Sequence, residues 1–194
     1  SPPGSGKTTV AAAMAAEVAR TTVGERKVRR KDNFAYESYS SVQLLLSVQN
    51  VAVDNMGAAL KKLNYGGGQV YNMKSMKKLN PYKPAPYDMF DLMSFKELEK
   101  WKNDSRFKWM EVDQKNGSTK KTKLDARMQE ELDEYLARAR GDFEKRVFPK
   151  IILSTVEMVL QKMYTKSKLR ADLEKVERVI IDETSLMTEA ALFA

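Results

Sequence analysis

The feature that most constrains this chain is a glycine-rich turn that runs directly into a helix near its amino terminus. Gly4-Ser5-Gly6 precedes Lys7-Thr8-Thr9, and the following residues are small and apolar nearly all round to about Arg20. Glycines let the backbone N–H groups of such a turn point inward at an anion. The lysine adds a positive charge, and the positive end of the helix dipole faces the same place. The sequence therefore predicts a phosphate-binding loop followed by a helix packed against a sheet.

A second signal lies near the other end of the chain, where an acidic pair follows a short apolar run. Val179, Ile180 and Ile181 have the composition of a short apolar strand, and Asp182 and Glu183 come directly after them. In phosphate-loop proteins such acidic groups manage the Mg²⁺ ion and the attacking water. A linker followed by an ordinary alanine-rich helix would account for the glycines alone, but it leaves the acidic pair unexplained. Together the two signals predict binding of a nucleoside triphosphate and its hydrolysis.

The composition excludes several other chemistries. The 194 residues include no cysteine and no histidine, so disulfides, thiolate or imidazole nucleophiles and the usual zinc sites are excluded. No stretch approaches the roughly 20 apolar residues of a membrane span, and the amino terminus lacks the pattern of a signal peptide. We therefore expect an intracellular protein, nuclear or cytoplasmic, with no membrane partner.

The positive charge is concentrated in the middle of the chain. The net charge is +8, and residues 61–150 carry 21 lysines and arginines against 14 aspartates and glutamates, a net +7. An excess of this size suits contact with a nucleic-acid backbone. A solvated charged surface has the same composition, so charge alone leaves both interpretations open.

Composition divides the chain into three regions, 1–63, 64–149 and 150–194. The first region contains the phosphate loop, a basic and then polar stretch over 26–41, a strand over Val42–Val48, the segment 49–55, and then a helix to about Leu63. The last contains a strand that ends at Ser154-Thr155, a helix to about Tyr164, and the strand before Asp182. This layout predicts a parallel α/β sheet interrupted by an insertion.

The middle region, 64–149, is expected to be a basic and largely helical insertion. Glycines and prolines punctuate its first half, and a long amphipathic helix follows. Apolar residues recur along that helix at three or four positions: Leu124, Met128, Leu132, Leu136, Ala139, Phe143 and Val147. Seven aromatic residues of the insertion either stack on bases or form its small core: Tyr82, Tyr87, Phe90, Phe95, Trp101, Phe107 and Trp109.

Four motifs follow one another in a family-specific order. They are Pro2 to Thr8, Asn50 to Asp54, Ser154-Thr155, and Asp182 to Ser185. In this order they resemble the first RecA-like domain of a superfamily-one helicase, of the group that includes the nonsense-mediated-decay helicase and senataxin. The resemblance covers both ends of the chain, and that group also carries a helical insertion in the middle.

The resemblance implies a P-loop NTPase fold, ATP and Mg²⁺ as cofactors, and ATP-driven movement along single-stranded RNA or DNA. It implies that Lys7, Asp182 and Glu183 are catalytic, with Glu183 deprotonating the attacking water, and that Thr8 and Asp182 hold Mg²⁺. The implied phosphate-binding residues are Gly4, Ser5, Gly6, Lys7, Thr8 and Thr9. The implied contacts with the strand, mainly at its phosphates, are Asn50, Val51, Asp54, Ser154 and Thr155.

The chain departs from the family pattern in its second motif and at its ends. Ser47-Val48-Gln49-Asn50 stands where the family usually has Ala-Pro-Ser-Asn, and Ser1 replaces the first glycine of the loop. In this fold a strand precedes the phosphate loop, and a second RecA-like domain supplies arginines to the transition state. We expect both to lie outside this chain, which alone should hydrolyse ATP weakly.

Three other functions compete with the helicase. An AAA-type remodeller or another phosphate-loop ATPase shares the loop and the acidic strand end. A small kinase is disfavoured because Asp182-Glu183 lies far along the chain with no arginine-rich lid beyond it. A degenerate, non-catalytic module that binds nucleic acid or protein is the third, although Lys7 and Glu183 are both present.

Overall fold

A four-stranded parallel sheet with helices on both faces organises the protein. The computed structural model describes residues 6–21, 23–30, 33–40, 42–66, 69–104, 126–165 and 168–182. In chain order the elements are α1 (Lys7–Thr21), β1 (Val23–Arg30), β2 (Asn33–Ser40), β3 (Val42–Ser47), α2 (Asn50–Lys62), β4 (Val70–Met73), α3 (Phe95–Asn103), α4 (Ala126–Glu144), β5 (Ile151–Thr155), α5 (Val156–Met163), α6 (Lys168–Leu173) and β6 (Val176–Ile181). The predicted α/β class with a parallel sheet is confirmed.

The strand order in the main sheet is β4-β5-β3-β6, and every neighbouring pair is parallel. All residues of β3, β4 and β5 are buried, whereas β6 is exposed or half-buried along its length. Parallel strands that are covered on both faces are apolar without alternation, because neither face meets water. The runs Val42–Ser47 and Ile151–Thr155 have this composition, which is why the sequence predicts them correctly.

Helices α1 and α2 cover one face of the sheet. The apolar side of α1 consists of alanines, four of which are buried: Ala12, Ala15, Ala16 and Ala19. They pack in one cluster with Met56 and Leu60 of α2 and with Leu45 and Leu153 of the sheet. Small side chains let two helices and a sheet approach closely, so the predicted tight packing of the first helix is confirmed.

The other face of the sheet is covered largely by the middle region. Leu132, Leu136 and Phe143 of α4 join one cluster with Leu44 and Ile152 of the sheet. The predicted amphipathic helix is therefore confirmed within Ala126–Glu144. Four of the seven aromatic residues also belong to the two cores, Tyr82, Tyr87, Phe90 and Trp101. Phe95 is exposed, and Phe107 and Trp109 lie outside the described residues.

Three elements differ from the sequence-based expectation. The strand β4 lies in the region expected to be helical, and it pairs with β5 from Val70↔Ile151 to Met73↔Ser154. The basic and polar stretch forms an antiparallel pair, β1 with β2, which makes a separate two-stranded sheet. Helix α2 begins at Asn50, so the expected start after residue 55 is wrong. Among the described residues, no helix is both long and apolar enough to cross a membrane.

Gly57 and Gly141 provide a matched test of how closely the helices pack. A Cβ atom added to Gly57 in α2 would lie 3.0 Å from Pro86 Cβ and 3.3 Å from Leu153 Cδ1. We expect Gly57→Ala to lower the free energy of unfolding by about 1–3 kcal/mol, because the core has no room for a methyl group. Gly141 in α4 has no such neighbour within 4 Å, so Gly141→Ala should raise it by about 0.5–1 kcal/mol. Urea denaturation of both variants checks this, and equal effects would contradict the packing described.

Candidate functional site

Polar side chains meet at the carboxyl edge of the main sheet. Ser47 at the end of β3 pairs with Thr155 at the end of β5. The backbone N–H of Asp182, directly after β6, donates to the carbonyl of Leu46 at 2.8 Å. In open α/β sheets ligands bind outside the carboxyl ends of the strands. The motifs that are far apart in the sequence therefore share the edge at which such folds place their sites.

The start of α1 has the backbone that the glycine-rich turn predicts. Gly6 has φ +76°, a left-handed conformation that side chains with a Cβ rarely adopt. The N–H of Val10 donates to its carbonyl at 2.9 Å, which closes the first turn of the helix. Nothing lies within 4 Å of a Cβ added there, so the backbone angle and not the space requires glycine.

The two predicted halves of the nucleotide site are in contact. Thr8 Oγ1 donates a hydrogen bond to Asp182 Oδ2 at 2.8 Å, although the two residues are 174 positions apart in the chain. Both are half-buried, while Lys7 and Thr9 are exposed beside them. Gly4, Ser5 and Glu183 lie outside the described residues, so their predicted roles stay predictions.

The second motif forms the first turns of α2. Asn50 and Asp54 are half-buried and Val51 is exposed. Gln49 occupies the cap position in an extended conformation, and its side chain makes no capping hydrogen bond. Its own N–H donates to Ser47 Oγ at 3.4 Å. The helix thus begins at the carboxyl edge, next to the end of β3.

Ser154 and Thr155 of β5 are predicted to contact the nucleic-acid strand. Their side chains are buried. Ser154 Oγ lies 3.1 Å from the carbonyl oxygen of Thr155 and 3.4 Å from that of Met73. Thr155 Oγ1 accepts a hydrogen bond from the N–H of Met158 at 3.4 Å, which caps α5. Both hydroxyls therefore bond to the backbone of the edge. A ligand here would meet the start of α5 before it met these hydroxyls.

A cavity of about 380 Å³ lies at the carboxyl end of β4, and the sequence-based analysis of motifs missed it. It is lined by Asp54, Lys74, Lys78, Asn80, Lys83 and the segment 84–86. Lys74 is only 6% exposed, and its Nζ lies 2.6 Å from Asp54 Oδ2. Four lysines within ten positions were the available signal, but only β4 brings three of them together beside α2.

The segment beside this cavity is held by a buried carboxylate. Asp88 accepts hydrogen bonds from the N–H groups of Ala85 at 2.7 Å and of Phe90 and Asp91 at 2.9 Å each. Burial raises the pKa of Asp88 to about 6, although these N–H groups and Lys74 act in the opposite direction. The Asp88 carboxylate therefore holds the backbone of residues 84–86, which forms one wall of the cavity.

A buried ionic network joins α4 to the sheet and to α5. Arg140 Nε donates to Glu144 Oε1 at 2.7 Å, and Arg140 Nη1 donates to the carbonyl of Lys74 at 2.8 Å. Tyr71 Oη and Lys162 Nζ also donate to the Glu144 carboxylate. Burial raises the pKa of the Tyr71 phenol and lowers the pKa of the Lys162 ammonium group. The network fixes the backbone that carries the cavity lysine Lys74.

Comparison with protein-family models and with curated proteins gave no match for this chain.

Proposed function

We propose that this chain is the ATP-binding part of a superfamily-one helicase or translocase, with a RecA-like P-loop fold. Its ATP hydrolysis would be coupled to movement along single-stranded RNA or DNA. The observation that carries the proposal is the 2.8 Å hydrogen bond from Thr8 Oγ1 to Asp182 Oδ2. It joins the start of the helix after a glycine turn to the acidic end of a parallel strand, which is the pairing that phosphate-loop NTPases use.

The chemistry of these two residues fits Mg²⁺. The Thr8 hydroxyl and the Asp182 carboxylate are hard oxygen ligands, and Mg²⁺ is typically held by one or two carboxylates together with substrate phosphates and water. Among the described residues there is no cluster of three or more acidic groups that would form a dedicated metal cage. A bound Mg²⁺ would neutralise charge on the transferring phosphoryl group. Lys7, exposed at the start of α1, would place its charge on the same phosphates.

The nucleic-acid part of the proposal is supported by what borders the nucleotide site. The first turns of α2 and the ends of β5 and β4 lie along the same carboxyl edge. Asn50 and Val51 would contact the strand there. Phosphate contacts of this kind give affinity without sequence preference. The AAA-type remodeller and the non-catalytic module share parts of this geometry, and experiment separates them.

Thermal unfolding with and without Mg-ATP tests the nucleotide site. At a ligand concentration a hundredfold above Kd, binding adds roughly 2.7 kcal/mol and raises Tm on the order of 5–10 °C. We expect the shift in the parent chain and in Lys62→Ala, which removes an exposed lysine of α2. We expect no shift in Lys7→Ala, because the charge on the phosphates is lost.

The outcomes divide the competing functions. A shift that persists in Lys7→Ala contradicts the phosphate-loop assignment. Binding of single-stranded RNA or DNA, without any rise in Tm on addition of Mg-ATP, favours the non-catalytic module. ATP hydrolysis that is stimulated by a protein substrate and not by single-stranded RNA or DNA favours the remodeller.

A further inference from the structure

We propose that the cavity lined by Lys74, Lys78 and Lys83 binds a backbone phosphate of the single strand. This inference rests on the proposed function. It extends the path of the nucleic-acid strand beyond the contacts predicted on α2 and β5. The cavity is a separate place from the nucleotide site, because β4 and β6 are the two edges of the sheet. Three strand spacings of about 4.8 Å separate them, or roughly 14 Å.

The charges of the cavity favour an anion. Among the described residues that line the cavity Asp54 is the one acidic group, and its carboxylate is paired with Lys74 at 2.6 Å. No carboxylate in the described part of the chain pairs with Lys78 or Lys83, and both are exposed. Two positive charges therefore face the cavity without compensation. A phosphate group would supply that compensation with several acceptor oxygens.

The walls of the cavity are ordered by internal hydrogen bonds. Asn72 Nδ2 donates to Asp54 Oδ1 at 3.1 Å and to the carbonyl of Pro86 at 3.0 Å, which joins α2 to the opposite wall. The N–H of Asn72 donates to the carbonyl of Tyr87 at 2.8 Å. Tyr87 has φ +62°, a strained conformation that these contacts maintain. A site that is already ordered loses little entropy when it binds.

The position of the cavity continues the predicted path. Asp54, predicted to contact the strand, forms one of its walls, and it lies one helical turn after Asn50 on α2. At the carboxyl edge of the sheet Met73 pairs with Ser154, so the end of β4 lies beside the end of β5. A nucleic-acid strand that crosses the starts of α2 and α5 would therefore reach Lys78 and Lys83 next. This arrangement fits a chain of phosphates better than it fits one isolated anion.

The test compares two double variants with the same loss of charge. Lys78→Gln with Lys83→Gln removes the two uncompensated charges, and Lys96→Gln with Lys100→Gln removes two exposed charges from α3. Fluorescence anisotropy measures binding of labelled 12-mers of uridylate and thymidylate between 50 and 200 mM salt. We expect the cavity variant to lower the magnitude of the salt slope by about 0.7, the value for one lost phosphate contact on a single strand. Its affinity at 50 mM salt should fall about tenfold or more, whereas the control keeps the parent slope.

Each outcome bears on a different proposal. If the parent chain binds no strand, both this inference and the nucleic-acid part of the proposed function fail. If it binds and the two double variants have the same slope, the cavity assignment alone fails. Calorimetric titration with pyrophosphate tests the remaining source of phosphate. Loss of pyrophosphate binding in the cavity variant, with an unchanged strand slope, would identify a small-anion site and overturn the inference.

Discussion

Thr8→Ala is expected to weaken Mg-ATP binding by at least 10–100-fold, the loss seen when even an outer partner of a metal ligand is removed. The hydroxyl is one of the two oxygen groups that meet at the proposed Mg²⁺ position, 2.8 Å from Asp182 Oδ2. Asp182→Asn should weaken Mg-ATP binding at least as much, because it removes the negative charge that would attract Mg²⁺. Titration of a fluorescent ATP analogue at several Mg²⁺ concentrations measures both effects.

Two neighbouring substitutions serve as controls for this prediction. Thr8→Ser keeps the hydroxyl and should bind nearly as the parent does, and so should Val10→Ala, which alters an exposed residue of α1 with no predicted role in the site. The double variant of Thr8→Ala and Asp182→Asn should be little worse than Asp182→Asn alone, because both residues act on one ion. If Thr8→Ala keeps the affinity and Mg²⁺ dependence of the parent, the contact is structural and the proposed site is wrong.

Arg140→Ala is expected to lower the free energy of unfolding by about 3–5 kcal/mol. The side chains of Arg140 and Glu144 are each only 4% exposed, so removal of the guanidinium group leaves a carboxylate buried with Lys162 as its remaining cationic partner. Lys162 places the expected loss toward the lower end of that range. Urea denaturation measures it directly.

The same helix provides the control. Arg138 pairs with Glu134 at 3.1 Å with the same four-residue spacing, but both side chains are more than 60% exposed. Arg138→Ala should therefore lower the free energy of unfolding by only about 0.3–0.5 kcal/mol. Replacing Arg140 and Lys162 with methionine and Glu144 with leucine together should recover most of the loss, because no buried charge is then left without its partner. Equal losses for Arg140→Ala and Arg138→Ala would contradict the buried network.

These two pairs also show where sequence-based prediction stops. Arg138–Glu134 and Arg140–Glu144 involve the same residue types at the same spacing on one helix. Only contacts with Tyr71, the carbonyl of Lys74, and Lys162 make the second pair buried. Such contacts come from segments up to 73 positions away (Tyr71 to Glu144), and no local pattern encodes them.

The elements that the sequence predicts correctly are those with strong local signals. The glycine turn predicts α1, and continuous apolar runs predict β3 and β5. The start of α2 has no typical cap, since Gln49 is not a favoured capping residue, and the polar side chains after it look like a loop. β4 is only four residues long and includes Asn72, so it carries too little apolar character to be found. The lysine cavity could not be predicted for the same reason, because β4 positions it.

The parallel topology also determines when the proposed nucleotide site can form during synthesis. Ile181 pairs beside Leu46 but lies 135 positions after it. Ribosomes add roughly 5–20 residues per second, so β3 waits on the order of ten seconds for this partner. During that time the edge of β3 that pairs with β6 has no partner from that strand, and Thr8 has no Asp182 carboxylate to meet. Long-range pairing of this kind slows folding, and the proposed ability to bind Mg-ATP should therefore arise only after β6 has been synthesised and has paired with β3.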